Sequence, residues 1–157
     1  MYRILCFLLI SFCAGGWGWE AGAQQSPATS SLRYGLEWNY QDMNLSAMLV
    51  LKTFGQEKKG VVMNEFGLNL VEFSLNKKGK ARVVFLHPML HRPFVKRMLQ
   101  KDLRLINTCI EASSVDEVPS GLRKNLDISG HWDENKMMTS LAIQHHTPAM
   151  TLRLFGL

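Results

Sequence analysis

Few residues in this chain are of a type and spacing that could do chemistry, and most fail on spacing. His87 and His91 are four apart, the separation that puts two metal ligands on one helix face. Pro88 follows His87 directly and works against a helix there, and the segment lacks the glutamate of an H-E-x-x-H motif. His145 and His146 are neighbours at a strand end, where adjacent side chains point to opposite faces. Metal binding by these histidines with Cys109 is therefore not expected. Nor is covalent catalysis, which needs a nucleophile activated by a positioned base. No G-x-S-x-G elbow is present, and the serines lie mostly in polar stretches. Glu65 and Glu72 flank a bend and could form a glycosidase-like carboxylate pair. They could equally face solvent or meet Lys80 or Arg82. No glycine-rich phosphate loop occurs, and no cofactor is expected.

Cations make the one pattern with a functional reading. Arg97, Lys101 and Arg104 follow at i, i+4 and i+7 with Lys96 close by. On a helix they form a basic stripe that could rest on an anionic membrane surface, or be a solvated face on which Asp102 pairs locally. The net charge of +5 suits anionic partners, among which nucleic acid is not expected for an exported chain. Nine methionines are a second oddity, suited to core filling or to an irregular apolar ligand.

The elements that must position these residues follow from periodicity. Leu45, Ala47, Leu49 and Leu51 alternate with Met48 and Val50, which predicts a strand. The polar stretch 55–60 predicts a turn, 60–66 a second strand, and Gly67 a bulge or sharp bend. Asn69, Val71, Phe73 and Leu75 continue the alternation. Asn76-Lys77-Lys78-Gly79-Lys80 then predicts a hairpin joining 68–76 to 80–87. From Pro93 the period changes. Val95, Leu99, Leu103 and Ile106 predict one helix over about 92–107 with that stripe buried. Residues 111–136 read as loop, with Leu122, Leu126 and Ile128 a short packed segment. Two closing strands run from Met137 to His145 and through Met150, Leu152 and Leu154. Strands, one helix, then strands with hairpin-length turns predict an α+β fold: a curved antiparallel sheet, incomplete as a barrel, packed against one main helix.

The N-terminus reads as a leader. Arg3, the apolar run Ile4–Phe12 and Ala21-Gly22-Ala23 match a signal peptide over 1–23. Residues 24–32 read as a disordered linker and 33–157 as one domain. Cys6 and Cys13 fall in the leader, so Cys109 has no internal disulfide partner and reads as a buried apolar residue. Cys13 offers a second route, lipidation, although Phe12 is large where lipoprotein boxes carry a small residue. The expected location is the periplasm or cell envelope, with or without an anchor through Cys13.

Asn64-Glu65-Phe66-Gly67, then Phe73, then Leu99-Gln100-Lys101-Asp102-Leu103-Arg104-Leu105-Ile106 resemble a family of small bacterial envelope proteins and lipoproteins. These are distantly similar to lipoprotein-localisation factors. The resemblance covers about a third of the chain after the leader. It implies an incomplete β-barrel that holds acyl chains, and it assigns no catalytic residue. The expectation is a non-enzymatic envelope protein that binds a lipid, another apolar ligand or an envelope partner. Alternatives are an assembly subunit with a filled core, or a small hydrolase.

Overall fold

A computed structural model describes residues 30–41 and 43–157. The expected leader, Cys13 and the linker as far as residue 29 lie outside the described residues. Eight strands form one sheet, β1 (Ser30–Tyr40), β2 (Met43–Phe54), β3 (Glu57–Asn64), β4 (Asn69–Leu75), β5 (Ala81–Leu86), β6 (Leu126–Trp132), β7 (Met138–His146) and β8 (Ala149–Gly156). Their order is β5-β4-β3-β2-β1-β8-β7-β6, every neighbour antiparallel, so the sheet stays open with β5 and β6 as edges. Between β5 and β6 run the long helix α1 (Pro93–Glu111) and a single turn, α2 (Ser120–Arg123). The class is α+β with the sheet dominant.

Three hairpins share one local construction. Asn64 Oδ1 accepts from the backbone N–H groups of Phe66 and Leu68, at 3.1 and 2.9 Å. Asn76 does the same with Lys78 and Lys80, both at 3.0 Å. Asp133 repeats it with Asn135 and Met137, at 2.9 and 2.8 Å. In each case the residue three after the Asn or Asp has positive φ, at Gly67, Gly79 and Lys136. A short polar side chain that satisfies two turn N–H groups, followed by a left-handed residue, reverses the chain tightly. The hairpin expected around 76–80 is therefore present, pairing Leu75 with Ala81 and Val71 with Leu86. Gly67 makes a sharp bend between two strands. The bulges lie elsewhere, at Val62/Met63 and Glu72/Phe73.

The structure revises several expected boundaries. Strand β1 already begins at Ser30, so Ser30, Ser31 and Leu32 are ladder residues rather than linker; they pair with Thr53, Lys52 and Leu51. The β2–β3 turn is shorter than expected, because Glu57–Lys59 already belong to β3. Helix α1 runs on to Glu111, since Leu105 and Cys109 continue the buried stripe. The stretch read as loop, 111–136, contains α2 and the whole of β6. In β6 the apolar alternation Leu126, Ile128, Trp132 is broken at Gly130, where a Cβ would fall 2.6 Å from the Trp132 ring. The glycine is what lets that ring lie flat on its own strand.

Helix α1 covers one sheet face. Val95, Leu99, Leu103 and Ile106 are buried as expected and join one apolar core with the inward residues of the sheet. Polar ties fix the C-terminal end of the helix. Asn107 accepts from Lys58 Nζ at 2.9 Å, Lys58 also pairs with Glu111, and Trp132 Nε1–H donates to the Cys109 carbonyl at 3.3 Å.

Candidate functional site

All three stripe residues, Arg97, Lys101 and Arg104, are exposed. They do not form a flat face. Together with Lys80 from the β4–β5 turn and Lys124 just after α2, they line a groove of about 680 Å³. Leu122, Asn125, Leu126 and Thr147 complete much of the wall. Five cations thus converge from three separate parts of the chain. Among the described residues Asp102 is the only acid lining the groove.

Asp102 is not the local surface partner that the helical pattern suggested. It is 1% exposed and is held by β7, with His145 Nε2 3.0 Å from Oδ1 and 3.2 Å from Oδ2. Only the Oδ2 approach has hydrogen-bond geometry, and Oδ1 is buried with no hydrogen-bond partner among the described residues. Burial pushes the Asp102 carboxyl above the usual carboxylate range, against the opposing pull of the His145 hydrogen bond and charge and of the Lys101 charge. The signal for this was positional. Asp102 stands three after Leu99 and four after Met98, which places it on the apolar stripe rather than beside it.

The groove's walls are suited to an anion. Lysine and arginine supply many donors, and a partly enclosed concavity screens them less than open water does. Among the described residues Thr147 is the only hydroxyl side chain that lines the groove, and no Ser or Cys does. Cys109 is fully buried and its thiol is pushed up to about 11 by burial.

Two of the remaining histidines, His87 and His91, serve the backbone. His87 Nδ1 accepts from the Met89 N–H at 3.4 Å, and His91 Nε2 bonds the Leu86 carbonyl at 2.7 Å. His146 pairs with exposed Asp127 on β6 at 3.1 Å. Among the described residues no three metal-ligating side chains cluster. Glu72 accepts from Asn69 at 2.8 Å and Glu65 is in the exposed β3–β4 turn.

The interior between sheet and α1 is nearly filled. The void there measures about 20 Å³ and is lined by Leu, Val, Ile and Trp side chains with Asp102. Among the described residues no helix is long and apolar enough to cross a membrane. Compared with known proteins, the chain matches no family model and no curated relative.

Proposed function

We propose that this is an exported, non-enzymatic protein of the cell envelope that binds a phosphate-bearing headgroup in the groove beside α1. One observation carries the reading: Lys80, Arg97, Lys101, Arg104 and Lys124 line one concavity, and its single acid is already paired. Like charges held together cost the fold stability, and an anionic ligand offsets that cost. A lipid would be met by its head rather than its acyl chain. The internal void has room for about one water-sized sphere, so α1 would have to leave the sheet before a chain could enter. A filled core would also suit an assembly subunit, in which the same basic groove would seat an acidic segment of a partner.

The curled, incomplete-barrel form of the sheet belongs to the same reading. Helix α1 packs against both β5 and β7, first and seventh in strand order. In a flat sheet six spacings of about 4.8 Å would separate those strands by roughly 29 Å, the whole length of a 19-residue helix. Yet residues as near to each other as Asn107 and Cys109 reach Lys58 of β3 and Trp132 of β6, third and eighth in that order. Contact with both supports a sheet bent around α1.

The test is calorimetric titration with glycerol phosphate and with inorganic phosphate at low salt. Tighter binding of glycerol phosphate supports a headgroup site, and equal binding a simple phosphate site. Binding of neither removes the proposal. A second reading is favoured by the Asp102–His145 pair. An oriented imidazole in a basic groove could act as general base on a water that attacks a phosphoester. Hydrolysis of a phosphodiester, lost in His145→Ala and retained in a fold-matched surface variant, would support it.

A further inference from the structure

The sheet face turned away from α1 is not the polar surface expected of an antiparallel sheet with one solvated side. On β2 and β3 its facing pairs are Met48 with Met63 and Val50 with Val61. At those two pairs the strands are apolar on both faces. The next outward pair is Lys52 directly opposite Lys59, both exposed. Following the register, Lys59 faces Ser74 and Ser74 faces Arg82, which extends the cation row across four strands. Like charges directly opposite on antiparallel strands are destabilising. None of the three cations has an ion-pair partner among the described residues. At the open edge the β5 bulge leaves Val84 67% exposed and Phe85 40% exposed. Val50, Val61, Val84, Lys52 and Lys59 line an open depression together with the acids Glu57 and Glu72, of which Glu72 is held by Asn69.

We infer that this outer face docks on an anionic lipid bilayer. Exposed aliphatic and aromatic side chains enter the headgroup boundary, and long cationic side chains beside them reach back to phosphates. Each Lys or Arg near such a surface adds attraction that falls off within a Debye length. Charge decides the occupant. Lys52, Lys59 and Arg82 outnumber the acids of this patch, Glu57 and Glu72. A second copy packed about a two-fold axis would therefore leave cation in excess on both sides, whereas a phosphate-rich surface compensates it. The inference does not rest on the groove reading, since the groove is on the helix side of the sheet.

The experiment is co-sedimentation of the purified protein with vesicles of phosphatidylcholine alone or mixed three to one with phosphatidylglycerol. The protein is expected to pellet with the mixed vesicles only. Lys52→Glu with Lys59→Glu should lower that partition at least tenfold while leaving circular dichroism and glycerol phosphate binding unchanged. Val84→Asp, at an exposed site, should lower it as well. The inference is overturned if the charge reversal pellets like the parent, or if the parent ignores mixed vesicles. Sedimentation showing a dimer that the reversal dissolves, with vesicle partition unaltered, would assign the face to a second copy instead. Loss of vesicle binding in the groove variant Arg97→Gln/Lys101→Gln/Arg104→Gln but not in the reversal would move the bilayer contact to the groove.

Discussion

Asp102 on α1 and His145 on β7 meet across 43 residues of sequence, the imidazole Nε2 lying 3.0 and 3.2 Å from the two carboxylate oxygens. The contact joins the helix to the sheet at the floor of the basic groove. It is also the boundary between groove and core, because Asp102 lines both the groove and the small apolar void. A buried pair of this kind is weak evidence for stability, since removing two polar groups from water offsets their attraction.

Its pH dependence has a definite sign. The folded carboxyl of Asp102 is raised above its ordinary value near 3.8, chiefly by burial. The folded state therefore holds this proton more tightly than the unfolded chain. The group's contribution to stability is full below the ordinary value and is lost as pH rises through the raised folded value. Asp102→Asn removes the titration and nearly preserves the volume. Chemical denaturation across the acid range should show the parent losing ground to Asp102→Asn as pH rises, with the variant at least as stable at neutral pH. A difference that moves the other way would mean that His145 stabilises the carboxylate more than burial penalises it.

The two faces of α1 should respond in opposite ways. Leu99 is 7% exposed within the core, so Leu99→Ala should cost roughly 2–5 kcal/mol in urea unfolding. Replacing Arg97, Lys101 and Arg104 together by Gln should leave stability level or slightly raised. Like-charge pairs at i, i+4 cost about 0.2–0.5 kcal/mol each, and the triple change removes them.

The shared turn construction predicts a reciprocal pair of effects. Lys136 has φ +61 where the two related turns use glycine. Left-handed backbone costs a non-glycine residue roughly 1–2 kcal/mol, partly offset by the extra freedom of glycine in the unfolded chain. Lys136→Gly should therefore raise thermal stability slightly, and Gly79→Ala, at φ +69, should lower it.

Cys109 should be inert in the folded protein. It is fully buried and its thiol is pushed up to about 11, so little thiolate exists near neutral pH. A disulfide reagent should label it only at the rate of unfolding. Rapid labelling under native conditions would contradict the packing of α1 on the sheet.

Much of this architecture was legible in local pattern. Asn76 through Lys80 announced their hairpin, and the spacing of Val95, Leu99, Leu103 and Ile106 announced the buried helix face. Strand β1 was equally visible in the alternation of Leu32, Tyr34, Leu36, Trp38 and Tyr40, which the polar stretch just before it obscured. Strand β6 was hidden for a physical reason: Gly130 takes an inward position because the Trp132 ring occupies the space. The groove was half legible. Its α1 cations showed as a stripe, but Lys80, Lys124 and His145 join them only through tertiary contact, and no period in a sequence reports that. Asp102 was misassigned to the surface because a charge beside cations reads as a local pair.

The central claim is that a phosphate-bearing headgroup binds where these cations converge, and nuclear magnetic resonance titration tests it most directly. Glycerol phosphate added at low salt should shift the backbone amides of Gln100, Gly121, Asn125 and Thr147, which line the groove from separate elements. Arg97→Gln/Lys101→Gln/Arg104→Gln should abolish those shifts, and added salt should weaken them in the parent. Saturating ligand that moves none of these amides, or that moves them equally in the triple variant, would contradict the account.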